Sequence, residues 1–145
     1  MQLSRDALLE AYRSMKTIRE FEERVAKEFA TGDLPGFVHL YAGEEASAVG
    51  VCSHLVESDQ IISTHRGHGH CIAKGCEVEP MMLELFGREG GLCGGKGGSM
   101  HVADLSKGMM GANAIVGGGP PLACGAAMTA KIKKTGGVAV SFTGD

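Results

Sequence analysis

Residues 111–145 read GANAIVGGGPPLACGAAMTAKIKKTGGVAVSFTGD, and the rest of the chain is organised around them. Gly117, Gly118 and Gly119, followed by Pro120 and Pro121, form a turn that opens onto a helix predicted over 122–134. Prolines in a first helical turn cost little, because those amides lack intrahelical partners anyway. Lys131, Lys133 and Lys134 fall in the last turn, where the helix dipole favours cations. Thr135, Gly136 and Gly137 break the helix. Residues 138–142 are then a short apolar run with β-branched members, the pattern of a buried strand in a parallel sheet. That strand delivers Gly144 and Asp145 at its carboxyl end, where open α/β sheets bind ligands. A carboxylate there, after a glycine that admits close backbone approach, suits a hard cation such as Mg2+ bridging to phosphate.

The 145 residues make one ordinary domain or part of a larger one, and 43% hydrophobic residues are enough for a core. Net charge is -3, and no basic run exceeds residues 131–134, which argues against nucleic acid as a partner. The start of the chain lacks the pattern of a signal peptide, and no apolar run is long enough to span a bilayer. The five cysteines form no C-x-x-C pair and read as free, mostly buried thiols of a cytoplasmic protein. Glycine is the anomaly. Twelve of the 23 glycines lie between Gly87 and Gly119, so the excess is local and marks a backbone-dominated loop system.

Upstream, Ser4 is a candidate N-cap and Gly32 a helix stop. Between them Leu8, Ala11, Tyr12, Met15, Ile18, Phe21, Val25 and Phe29 recur at helical spacing. Residues 36–41 read as extended, 44–55 as a second helix, 61–64 as a strand, and 79–86 as a third helix with Pro80 near its start. Residues 87–98 are a glycine loop, and 104–111 read as a polar loop. No internal repeat or interdomain linker is evident.

His65, Arg66, His68 and His70 form the densest polar cluster, directly after the strand over 61–64. Zinc is disfavoured there, since the glycines leave the loop flexible, no cysteine completes a tetrahedron, and an arginine sits in the middle. An anionic ligand suits the cluster better, because Arg66 offers a planar fork of donors to phosphate. The residues alone leave open that His70 is a solvated loop side chain. Residues 90–97, GGLCGGKG, nearly spell a phosphate loop, but Gly97 stands where a hydroxyl is needed and a helix rather than a strand precedes it. A triphosphatase is therefore rejected, and the loop amides remain candidates for phosphate or a neighbouring chain. Residues 117–122 fail the dinucleotide pattern at Leu122. His39 and His101 are lone loop histidines whose ordinary role is a structural hydrogen bond.

GFVHLYAGEEA (36–46), STHRGHGHCIAKG (63–75), GGKGGSMH (94–101), IVGGGPPLACGAA (115–127) and VSFTGD (140–145) occur in this order. Together they resemble the alpha subunit of the thiamine-diphosphate-dependent first component of 2-oxo acid dehydrogenase complexes, a group that includes the acetoin and pyruvate dehydrogenase alpha subunits. The resemblance runs from about Phe21 to Asp145 and covers the amino-terminal part of such a subunit. It implies a thiamine-diphosphate-binding α/β fold, a parallel sheet flanked by helices, truncated after the strand that carries Gly144 and Asp145. Residues 1–145 are then the amino-terminal part of a single domain.

The same resemblance implies cofactor-binding roles for His65, Arg66, Ala114, Val116, Gly144 and Asp145. Arg66, with His65 before it, looks like the pair that meets the diphosphate; members often carry tyrosine at the His65 position. The backbone at Ala114 and Val116 is similar to the segment that meets the aminopyrimidine ring. Ala114 is commonly glycine in members, and Pro120 replaces a branched apolar residue. Asp145 looks like the first Mg2+ ligand, and His39 resembles a histidine on the substrate side. The implied cofactors are thiamine diphosphate and Mg2+. The implied chemistry is decarboxylation of pyruvate or cleavage of acetoin, with the acyl group passed to lipoamide. Partners would be a beta subunit in a heterotetramer, a lipoyl-bearing acyltransferase component and a small-molecule substrate, with neither nucleic acid nor membrane. The activating glutamate belongs to the beta subunit, so no catalytic residue is assigned to this chain. The competing expectation is a catalytically inactive truncated binding module.

Overall fold

The computed structural model describes residues 3–144. Its elements are α1 (Arg5–Thr31), α2 (Glu45–Cys52), β1 (Gln60–Ile62), α3 (His68–Ala73), α4 (Val78–Leu85), β2 (Met109–Gly111), α5 (Gly119–Lys133) and β3 (Ala139–Ser141). The three strands form one parallel sheet in the order β2-β1-β3. This is an α/β fold with helices on both faces of a parallel sheet. Among the described residues no helix is long and apolar enough to cross a membrane.

Alternation along β1 divides the layers. Ile61 joins one cluster with Ile18, Phe21 and Val25 of α1, Ala48 and Val49 of α2, Ile72 of α3, and Met81 and Leu85 of α4. Ile62 points the other way, toward α5, where a Cβ on Gly119 would lie 3.5 Å from its side chain. The β1–β2 connection therefore runs over one face and the β2–β3 connection over the other. Each large side chain fully buried this way contributes about 1.5–3 kcal/mol.

The helix termini follow the sequence signals. Ser4 accepts from the Ala7 amide through Oγ, and Gly32 closes α1 with φ 84°. Pro120 and Pro121 sit in the first turn of α5. Several expectations need correction. Leu8, Tyr12 and Phe29 are exposed, so the apolar stripe of α1 is covered only along its middle, where α2 and α3 cross it. β2 lies inside the stretch read as a polar loop, since a three-residue strand is too short for its period to register. The cluster read as a loop is a loop only to Gly67, and α3 begins at His68. The strand expected over 138–142 is shortened to three half-buried residues, because β3 pairs only with β1 among the described residues. α5 begins three residues earlier than the predicted helix, at Gly119, and α2 spans only Glu45–Cys52.

The glycine loop also differs from expectation. Its amides serve the chain itself. The Cys93 and Gly95 amides donate to Glu84 Oε2, each at 2.8 Å, and the Gly97 and Gly98 amides donate to Oε1 at 2.7 and 3.1 Å. Glu84 is fully buried. The loop is thus a cage for an internal carboxylate, and those four amides are not available to an external phosphate. Burial alone pushes the Glu84 carboxyl up, but the four amide bonds together outweigh it and hold the pKa below the ordinary value. A Cβ on Gly91 would run into Glu84, which explains a glycine where no turn demands one.

Two outcomes test this packing. A group with a depressed folded pKa stabilises above its unfolded pKa, and that stability is lost as pH falls through the folded value. Glu84→Gln replaces two acceptor sites with a donor facing donors. It should cost about 3 kcal/mol or more at pH 7 in urea denaturation and flatten the loss of stability below about pH 4.5. Gly69→Ala drives a methyl group into the Tyr41 ring and should cost about 1–3 kcal/mol, measured the same way. A Gly69→Ala chain as stable as the parent would contradict the seating of Tyr41 on α3.

Candidate functional site at the carboxyl ends of the strands

In the order β2-β1-β3, the connections from β1 and from β2 leave on opposite faces of the sheet. The carboxyl ends of β1 and β3 therefore border the crevice where ligands bind in open α/β sheets. A cavity of about 150 Å³ occupies this position. Ser63 and Thr64 follow β1 into its wall, and Phe142, Thr143 and Gly144 follow β3. Val116 and the first residues of α5 close the third side. The amino-terminal end of α5, 15 residues long, adds the positive pole of its dipole; Pro120 and Pro121 carry no N–H and the Gly118 amide donates to the Ile115 carbonyl, which leaves the Gly119 amide in that turn.

The loops around the crevice are tied together. Arg66 Nη1 donates to the Leu40 carbonyl at 2.9 Å, joining the turn after β1 to the segment before α2. His39 and His65 meet edge to face, with ring centroids 4.9 Å apart. The Asn113 amide donates to the Thr64 carbonyl at 3.3 Å, which brings the 113–118 loop against the same turn. A Cβ on Gly67 would lie 2.6 Å from Ala112 Cβ, so these two backbones approach as closely as glycine permits. His39, His65 and Arg66 are thus gathered in one rim of loops next to Thr64, and none of the three lines the cavity itself. Val116 and Gly144 line the cavity, whereas Ala114 is not among its lining residues. Asp145 lies outside the described residues. Among the described residues no group of three or more histidine, cysteine or acidic side chains could hold a metal ion.

Two buried imidazoles anchor α3 beneath this rim, and the sequence reading missed both. His70 is 4% exposed rather than solvated. Its Nε2 is 2.9 Å from the Tyr41 hydroxyl and its Nδ1 is 2.7 Å from Ser63 Oγ. Phe142 stacks on the ring with centroids 3.7 Å apart. Burial pushes the His70 pKa down to about 3, so the ring is neutral, donating through one nitrogen and accepting through the other. Burial likewise pushes the Tyr41 phenol up to about 12. His68 Nδ1 is 2.8 Å from Glu22 Oε1 of α1, and its Nε2 is 2.9 Å from Ser99 Oγ at the exit of the glycine loop. The signal that could have found them is the i, i+2 pair of histidines separated by a glycine too crowded for any side chain. His101, by contrast, is exposed.

Residues 13–145 match the dehydrogenase E1 component family. The alpha subunit of acetoin:2,6-dichlorophenolindophenol oxidoreductase from Bacillus subtilis (strain 168) is 63% identical over all 145 residues. The subunit of the same name from Cupriavidus necator is 61% identical over the same length. The alpha subunit of the pyruvate dehydrogenase E1 component from Zymomonas mobilis is 43% identical over 142 residues, 97% of the chain. The chain spans 44%, 44% and 40% of the lengths of these three relatives. With nearly its whole length matched by one family model, the chain belongs to the dehydrogenase E1 component family.

Proposed function

We propose that this chain is the cofactor-binding, amino-terminal portion of an alpha subunit of a thiamine-diphosphate-dependent dehydrogenase acting on acetoin or pyruvate. The observation that carries the reading is the crevice between β1 and β3, with a helix amino terminus on its wall and Arg66 in the turn that follows the lining residue Thr64. That donor set fits a diphosphate: a cation held in the neighbouring turn, a positive dipole end and the Gly119 amide. The cavity of about 150 Å³ takes part of such a cofactor, not the whole. Family membership and the names of the relatives support the choice of substrate class.

In this reading Arg66 holds the diphosphate and His65 stands beside it. The backbone at Ala114 and Val116 meets the aminopyrimidine ring, and Gly144 admits close backbone approach beside Asp145. Asp145 supplies the first oxygen to Mg2+. His39, packed against His65, faces the substrate side. Thiamine diphosphate, when bound, supplies the electron sink that permits cleavage of a bond next to a carbonyl. The chain's own contribution is binding and orientation, with Phe142 forming part of the crevice wall. The acyl group passes to lipoamide on an acyltransferase component, and a beta subunit completes the site in a heterotetramer. The free cysteines suit the reducing cytoplasm. Residues 1–145 form the start of one domain rather than a separate one.

The test is Arg66→Ala in the enzyme assembled with its beta subunit. Losing a charge-assisted pair costs about 1.5–3 kcal/mol, so calorimetry should read a cofactor affinity weaker by tenfold or more. Unchanged affinity would sink the assignment.

A further inference from the structure

We propose that Tyr41 is a positioning residue for Arg66: its phenol, tied to the buried His70 ring, fixes the Leu40 carbonyl on which the Arg66 guanidinium is anchored. The inference rests on the reading of Arg66 as the diphosphate-binding residue and goes beyond it, to the group that holds that residue in place.

The contacts around Arg66 close into a circuit of atoms. Arg66 Nη1 donates to the Leu40 carbonyl at 2.9 Å. That carbonyl belongs to the same planar peptide unit as the Tyr41 amide, so fixing Tyr41 fixes the plane of the acceptor. Tyr41 is 1% exposed, and its hydroxyl is 2.9 Å from His70 Nε2. Gly69 lets the ring lie flat on α3, because any Cβ there would run into it. The Glu44 amide donates to the Tyr41 carbonyl at 3.1 Å and pins the other side of the residue. His70 in turn lies four residues after Arg66, on the helix that the Arg66–Gly67 turn starts. The circuit therefore returns to its origin through two hydrogen bonds and two short pieces of backbone.

Arginine has a long, rotamer-rich side chain, and ordering it on ligand binding carries an entropic cost. A guanidinium already held in one plane loses less on binding, which is the advantage of preorganisation. Tyr41 supplies the buried end of that brace. The Ser99 hydroxyl makes a chemically similar bond to the other imidazole of α3, His68, at 2.9 Å. That bond ties α3 to the exit of the glycine loop rather than to the 36–41 segment, so it serves as a matched comparison.

The experiment compares Tyr41→Phe with Ser99→Ala in the assembled enzyme. Each variant loses one hydroxyl bonded to a buried imidazole, and thermal melts establish that the two are destabilised alike. Inorganic pyrophosphate with Mg2+ is titrated by calorimetry, and the order of the Arg66 side chain is read from 15N-arginine spectra. The expected result is a disordered Arg66 and about tenfold weaker pyrophosphate binding in Tyr41→Phe, with both unchanged in Ser99→Ala. An Arg66 equally ordered in Tyr41→Phe overturns the proposal, as does equal weakening in both variants, which would mark a general stability effect. A parent enzyme that binds neither pyrophosphate nor thiamine diphosphate, with Arg66 loosened only in Tyr41→Phe, overturns the cofactor reading and upholds the brace.

Discussion

A carboxylate taken out of water must find compensation inside the protein, and Glu84 finds it in four backbone amides of the glycine loop. The bonds run from α4 to Cys93, Gly95, Gly97 and Gly98, so one side chain dictates the path of a loop in which seven of the twelve residues over 87–98 are glycine. The loop exits at Ser99, whose hydroxyl meets His68 at the start of α3. His68 meets Glu22 in the middle of α1. Polar contacts between buried groups thereby link α4, the loop, α3 and α1. Hydrophobic burial supplies the bulk of the stability, but it does not choose among similar packings. A buried carboxylate with one arrangement of donors does.

The crevice depends on the same frame at one remove. Its walls are the ends of β1 and β3 and the start of α5, while its rim is built by turns that carry little structure of their own. α3 stands under that rim, and its two imidazoles face in different directions. One reaches α1 and the glycine loop, the other reaches Tyr41, Ser63 and Phe142. Six residues of helix thus secure both the scaffold and the strand ends. Such a short helix has too few turns to be stable by itself, so its position is owed to these tertiary contacts.

How far the sequence discloses all this varies with the kind of signal. α1 and α5 are legible because apolar period, caps, prolines and terminal lysines agree. The placing of the crevice is legible as well, since a glycine turn, a helix and a short apolar strand succeed one another before Gly144. β2 is not legible, because Met109–Gly111 is too short to display a period. α3 is hidden because two glycines and three polar rings occupy the stretch, and those glycines answer to contacts with Ala112 and Tyr41 rather than to a turn. The Glu84 cage is invisible for a different reason. Backbone amides are the same in every residue but proline, so a carboxylate that binds them leaves no partner to recognise. The apolar residues of α1 that stay exposed show the opposite limit: period reveals a face, not how much of it is covered.

The central place of β1 bears on how the chain acquires its shape in time. Parallel neighbours cannot be joined by a tight turn, so β1 waits for partners that lie about 48 and 79 residues further along, at Met109 and Ala139. The crevice draws its walls from both ends of that interval. Contacts of such separation are slow to form, because the loop between them must be closed before they return any energy. The helical layer of α1 to α4 can gather early around its own apolar cluster, with Ile61 already seated. The crevice is complete only once β3 pairs with β1 and brings Phe142 onto the ring of His70.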